Sequence, residues 1–165
     1  MICRPLFPFA VVTAFAVALL ACGAPNAPDF TAQAAMTNLY LIESGKIAAE
    51  KGQSDAVKEF GRHIAEQHAK FNQELASIVQ KEKLAVTLPV ALDEKGESKI
   101  KALTDAKSGD FDALYIKQQV NALKRSVNLF DAYAEGGDNE GLKQFAANVL
   151  LALKRSRDRA KKLAR

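Results

Sequence analysis

No cysteine follows Cys22, because the chain's two cysteines, Cys3 and Cys22, both lie near its beginning. A disulfide framework in the folded part is therefore excluded, and core packing alone must hold it together. Proline is missing from Phe30 through Leu88. No segment sustains the alternation of apolar and polar residues that a half-buried strand requires, so nothing points to a β fold. A large excess of either charge is missing too. With Arg4 set aside as part of the leader, 22 basic side chains face 19 acidic ones, too small a difference to imply a nucleic-acid partner. Imidazole is scarce, supplied by His63 and His68 alone. The Glu-x-x-His signature of di-iron bundles does not occur. No nucleophile, base and orienting group can be assembled, so the chain is read as non-enzymatic.

What is present begins with an address. Arg4 precedes an apolar run from Leu6 to Ala21, the layout of a secretory signal and shorter than a membrane span. Leu19-Leu20-Ala21-Cys22 resembles the bacterial lipobox, so residues 1–21 are expected to be a lipoprotein signal peptide and Cys22 the lipidated residue. Two or more acyl chains anchor stably, at ~0.8 kcal/mol per buried methylene. A plain signal cleaved elsewhere is the alternative. Gly23 rather than Asp after the cysteine resembles lipoproteins sent on to the outer membrane. Residues 22–29, with Pro25 and Pro28, read as a tether, leaving 30–165 as one domain.

That domain is patterned as helix throughout. A first helix is expected from Phe30, capped by Asp29, to Lys51, and a second from Ser54-Asp55 to about Lys83. A short helix over Ser98–Lys107 interrupts the long connection that follows. Ser108-Gly109-Asp110 reads as a stop and cap, a third long helix as Phe111–Glu135, and a fourth runs from about Leu142 to Leu163. Four amphipathic helices with one long middle connection suit an antiparallel four-helix bundle with a single crossover.

Spacing decides what points inward. On the second helix Ile64, His68, Phe71 and Leu75 recur at steps of four, three and four, so His68 faces the core or its edge. His63 falls on the polar face, and five residues separate the two rings by roughly 140°, so they cannot share a metal ion. On the first helix Met36, Tyr40, Glu43 and Ile47 share a line, making Glu43 a carboxylate on an apolar stripe. A buried imidazole and a buried carboxylate both need partners, so Glu43 and His68 are expected to face each other, with Gln119 and Ser126 in the same polar layer. Snorkelling of Glu43, or a hydrogen bond from His68 to tyrosine or water, are the plainer outcomes. Such a pair is a weak site for iron or zinc, which take three or four protein ligands.

The stretch IESGKIAAEKGQSDAVKEFGRHIAEQHAKFNQEL, with FDALYIKQQV and LFDAYAEGGDNEGLKQFAANVLLAL, resembles domain-of-unknown-function family 4142. The likeness covers about Asp29 to Leu163. It implies an exported bacterial protein with a ferritin-like four-helix fold, of the kind described as outer-membrane proteins, and it implies no particular activity. The family pattern's glutamate and first-hairpin histidine match Glu43 and His68. Its later histidines fall at Leu123 and Ser156, so any metal site implied by the resemblance is reduced here to a remnant.

Finally, KRSRDRAKKLAR at the C-terminus carries Lys154, Arg155, Arg157, Arg159, Lys161, Lys162 and Arg165. Cations at a helix C-terminus interact favourably with its dipole; the functional alternative is contact with anionic lipid or lipopolysaccharide phosphates. The expectation is a lipid-anchored periplasmic bundle acting as an envelope interaction or stress-associated module. Its partners would be the membrane and an envelope protein or anionic surface, and its oligomeric state is open. The rival is an iron-binding ferritin-like protein with a vestigial site.

Overall fold

A computed structural model describes residues 23–165; the expected signal segment and Cys22, the expected lipid acceptor, lie outside them. The described chain is all-helical, with α1 at Ala27–Lys51, α2 at Asp55–Lys81, α3 at Glu94–Asp105, α4 at Ser108–Gly136 and α5 at Glu140–Leu163. None of the described helices is long and apolar enough to cross a membrane.

Local chemistry sets the boundaries. The α1 cap is Asn26, whose side chain accepts from the Asp29 N–H at 2.8 Å, so the helix starts inside the expected tether and Asp29 sits in its first turn. Pro28 is tolerated there because the opening N–H groups have no intrahelical partner. Ser54 caps α2 and Asn139 caps α5. The α3 start is Glu94 rather than Ser98, because Asp93 caps it by accepting from Gly96 N–H at 2.7 Å. The expected cap at Asp110 is absorbed into the first turn of α4, which begins at Ser108 without a side-chain cap. At the end of α2, Lys83 takes a left-handed φ of 52° and turns the chain into the crossover.

The long helices pack as a bundle: α1 against α2, α4 against α5, with α1–α4 and α2–α5 contacts closing the ring. Pairings such as Asn38 with His68 and Asp131 with Lys154 make neighbouring helices antiparallel. Ser44 meets Gln119, and Gln67 meets Ser156. Consequently α2 and α4 run parallel, and the segment between them must travel the length of the bundle. It carries α3, which lies on α1 and α4 and buries only Gly96 and Leu103.

Two apolar clusters fill the interior. Near the start of α1, Phe30, Leu75, Phe130, Tyr133, Leu142 and Phe145 belong to one. Phe60, Ile64, Phe111, Tyr115, Leu123 and Ala160 belong to the other, near the end of α1. Ala24 lies against Gly136, so the N-terminal segment sits at the α4–α5 turn. The basic C-terminal turns of α5 are at the opposite pole.

On α1 the inward line differs from the expected one. Phe30, Thr31, Ala34, Ala35, Asn38, Leu41, Ser44, Gly45 and Ala48 are buried, whereas Met36 and Ile47 are only partly covered and Glu43 is exposed. Small residues face inward because α1 and α2 approach very closely. A Cβ on Gly45 would lie 2.7 Å from the Gly61 carbonyl oxygen, and one on Gly61 equally close to that of Gly45. Bulk on either residue would force the backbones apart.

Candidate functional site

Between the two apolar clusters lies a layer of buried polar side chains. Asn38 comes from α1, His68 from α2, Ser126 from α4 and Ser156 from α5, with Ser44 and Gln119 extending it along α1 and α4; all are at most 3% exposed. The expected Glu43–His68 pair does not form. Glu43 is exposed and lines a surface groove with Val90, Ala91 and Glu97 beneath the crossover. The physical reason is register: Glu43 lies on the flank of α1 beside the inward line of Asn38, Leu41 and Gly45, and a carboxylate there reaches water without desolvation.

His68 is instead paired with Asn38, at 2.8 Å between Nδ1 and the amide oxygen. Nδ1 therefore donates, and Nε2 keeps its lone pair. Burial, with a smaller contribution from His63, pushes the imidazole pKa down to about 3. The ring stays neutral at any ordinary pH and meets Phe71 edge-on at 5.4 Å.

Two other bonds of the layer tie neighbouring helices together, and one stays within α4. Gln119 Nε2 donates to Ser44 Oγ at 3.0 Å, Ser126 Oγ to the Ala122 carbonyl at 3.2 Å, and Ser156 Oγ to Gln67 Oε1 at 2.8 Å. Among the described residues Asn38 Nδ2, His68 Nε2, Asn72 Oδ1, Tyr115 Oη and Gln119 Oε1 are buried without a partner. Each such atom opposes folding by ~1–3 kcal/mol, so the layer is the least satisfied part of the core. His63, on the polar face, is exposed. Leu123 and Ser156, where the resemblance was expected to place histidines, are both buried.

The donor set does not suit iron. It offers one imidazole nitrogen plus amide and hydroxyl groups, whereas iron in bundle cores takes several carboxylates and histidines. Among the described residues no group of three or more His, Cys, Asp or Glu side chains is placed to hold a metal ion.

The basic C-terminus divides in two. Lys154 pairs with Asp131 at 3.1 Å, Arg157 with Asp158 at 2.9 Å, and Arg159 with Glu59 at 2.9 Å while lying 5.6 Å from the Phe60 ring centre. Arg155, Lys161, Lys162 and Arg165 are exposed and make no ion pair among the described residues. Spacing alone did not reveal that Lys154 and Arg159 were committed, because their partners come from α4 and α2. Sequence reasoning also missed Asp112. It ties the α1–α2 turn by accepting from the Gln53 and Ser54 N–H groups and the Ser54 hydroxyl at 2.8–3.0 Å. Burial would raise its pKa, but these bonds and Lys58 hold it below the usual carboxylate value.

Fold and site together define a helical bundle with a buried amide–imidazole layer. The chain belongs to the family described as Domain of unknown function (DUF4142), whose model matches residues 15–163. No curated protein and no solved structure gives a significant match.

Proposed function

We propose that the protein is a lipid-anchored envelope protein whose ferritin-like four-helix bundle serves as a non-enzymatic interaction or stress-associated module. One observation carries the non-enzymatic part: the mid-bundle layer is built from amides, hydroxyls and a single neutral imidazole, with no carboxylate among its buried members. Such a layer fixes helix register and supplies neither a redox ligand set nor a proton donor at working pH. The ferritin-like assignment is supported by the parallel α2 and α4 with a crossover between them. The anchor rests on the Leu19-Leu20-Ala21-Cys22 motif, and the outer membrane as its site on Gly23.

Two measurements test this reading. Mass spectrometry of the mature N-terminus should find Cys22 carrying acyl chains, and an unmodified terminus or cleavage elsewhere removes the anchor. Protein purified without chelator should contain metal well below one equivalent. The rival reading, an iron-binding protein with a reduced site, is favoured by one observation, the unpartnered Nε2 of His68. Stoichiometric iron or zinc that disappears in His68→Ala would establish that rival.

The basic C-terminus, proposed as a contact for anionic lipid or lipopolysaccharide, lies at the opposite pole from Gly23. It meets the anchoring membrane only when the bundle lies along the surface.

A further inference from the structure

The crossover does more than connect α2 to α4. Where the first turn of α3 settles between α1 and α4, it roofs a pocket of about 150 Å³ lined by Thr37, Tyr40, Asp93, Lys95, Lys99 and Arg125, among others. Water takes ~30 Å³ in the liquid, so the pocket has room for an oxyanion of five heavy atoms.

Its charge is lopsided. Three cations line it from two separate helices, Lys95 and Lys99 on α3 and Arg125 on α4, and Asp93 is the only acid in the lining. One Asp93 oxygen already accepts from Gly96 N–H in the cap. Glu94 and Glu97 of the same turn are exposed and do not line the pocket. None of the three cations makes an ion pair among the described residues.

Holding like charges together opposes folding unless something neutralises them. Lys99 records that opposition: burial, then Arg125 and Lys95, lower its pKa, with Asp93 acting the other way. Its ammonium lies 5.3 Å from the centre of the Tyr40 ring, which fixes it against the wall. The Tyr40 hydroxyl is committed to Gln118, so the donors facing an incoming anion are Lys95, Lys99, the forked guanidinium of Arg125 and the Thr37 hydroxyl. Three cations and a hydroxyl suit a tetrahedral, multiply charged oxygen shell better than a single carboxylate.

We propose that this pocket binds a phosphate group, held by Lys95, Lys99 and Arg125 under the first turn of α3. The group arrives either as inorganic phosphate or as a lipid phosphate monoester presented at a membrane surface. Binding would tie α3 to α4 through the shared anion and stiffen a crossover that otherwise buries little of itself.

The test titrates the purified protein by calorimetry with inorganic phosphate, against chloride at equal ionic strength, and separately with phosphatidylcholine vesicles with or without phosphatidic acid. Two variants accompany it: Lys99→Gln/Arg125→Gln in the pocket, and Lys161→Gln/Lys162→Gln in the exposed C-terminal turns. Losing a charge-assisted donor to phosphate is expected to weaken binding by about tenfold or more. Saturable phosphate binding weakened by the pocket variant and unchanged in the C-terminal variant supports the proposal with free phosphate as ligand. The same pattern with phosphatidic acid vesicles alone supports it with a lipid headgroup. No saturable binding in either arm, or binding that survives the pocket variant, overturns it. Circular dichroism confirms that both variants fold, as expected for Arg125, Lys161 and Lys162 at exposed positions and Lys99 at a half-buried one.

Discussion

Where α1 meets α4 near Phe30, ring lies on ring: Phe30 stacks on Tyr133 with centres 3.9 Å apart and meets Phe130 edge-on at 5.1 Å. Where α1 meets α2 near Gly45, only the methyl groups of Ala48 and Ala65 border the contact, and one more methyl on either glycine would collide. The α1–α4 contact is held by large side chains, the α1–α2 contact by the near absence of side chains between closely spaced backbones. Each arrangement leaves a different vulnerability. An aromatic contact is weakened by removing atoms and a glycine contact by adding them.

The largest effect should come from the aromatic α1–α4 contact. Phe30 is fully buried, and Phe30→Ala is expected to cost ~3–5 kcal/mol, read as a lower denaturation midpoint with an unchanged denaturant slope. A loss below 1 kcal/mol would mean that the stack is not what closes this end.

At the α1–α2 contact Gly61→Ala sets two terms against each other. Alanine favours a helix interior over glycine by ~1 kcal/mol, but its Cβ would meet the Gly45 carbonyl at 2.7 Å. Overpacking against backbone should win, for a net loss of ~1–3 kcal/mol. An alanine variant more stable than the parent would show that the helices can part without cost and would erase the contrast between the two contacts.

The polar layer between the ends should announce itself through pH. His68 has a folded pKa of about 3 against an ordinary 6.5. Below pH 6.5 the unfolded chain therefore takes up a proton that the folded chain refuses. The stability associated with the neutral ring is complete above 6.5 and is lost as pH falls toward 3, by ~2 kcal/mol at pH 5. Unfolding midpoints measured between pH 7 and 5 should fall, and His68→Gln should flatten much of that slope. Glu43→Ala, touching an exposed flank, should leave it unchanged; a flattened slope there would restore the acid–imidazole pair that the structure separates.

Much of the architecture was readable from the chain. The breaks at Gly52 and Gly136-Gly137, the long connection around Pro89 and the stripe of α2 that carries His68 all follow from hydrophobic period and turn chemistry. The partner of His68 was not readable, for a reason that lies in α1. Besides Phe30, Tyr40 and Leu41, its buried residues are mainly Thr31, Ala34, Asn38, Ser44, Gly45 and Ala48, too small or too polar to register as a core stripe. Met36 and Ile47, in line with the buried Tyr40, drew the expected stripe toward one flank and took Glu43 with it. Close packing selects small residues, so the tightest interface gives the faintest hydrophobic signal. The start of α3 was missed for a related reason: Gly96 reads as a breaker, yet it supplies the N–H that Asp93 caps.

The chain enters the bundle at Gly23 beside the α4–α5 turn and leaves it at Arg165 on the far pole. The 24 residues of α5 span about 36 Å at 1.5 Å each. Whatever holds the first residues thus keeps the unpaired cations Arg155, Lys161, Lys162 and Arg165 at arm's length. Held by the proposed anchor, the molecule would be a stiff spacer with a cationic tip, its reach fixed by helix length.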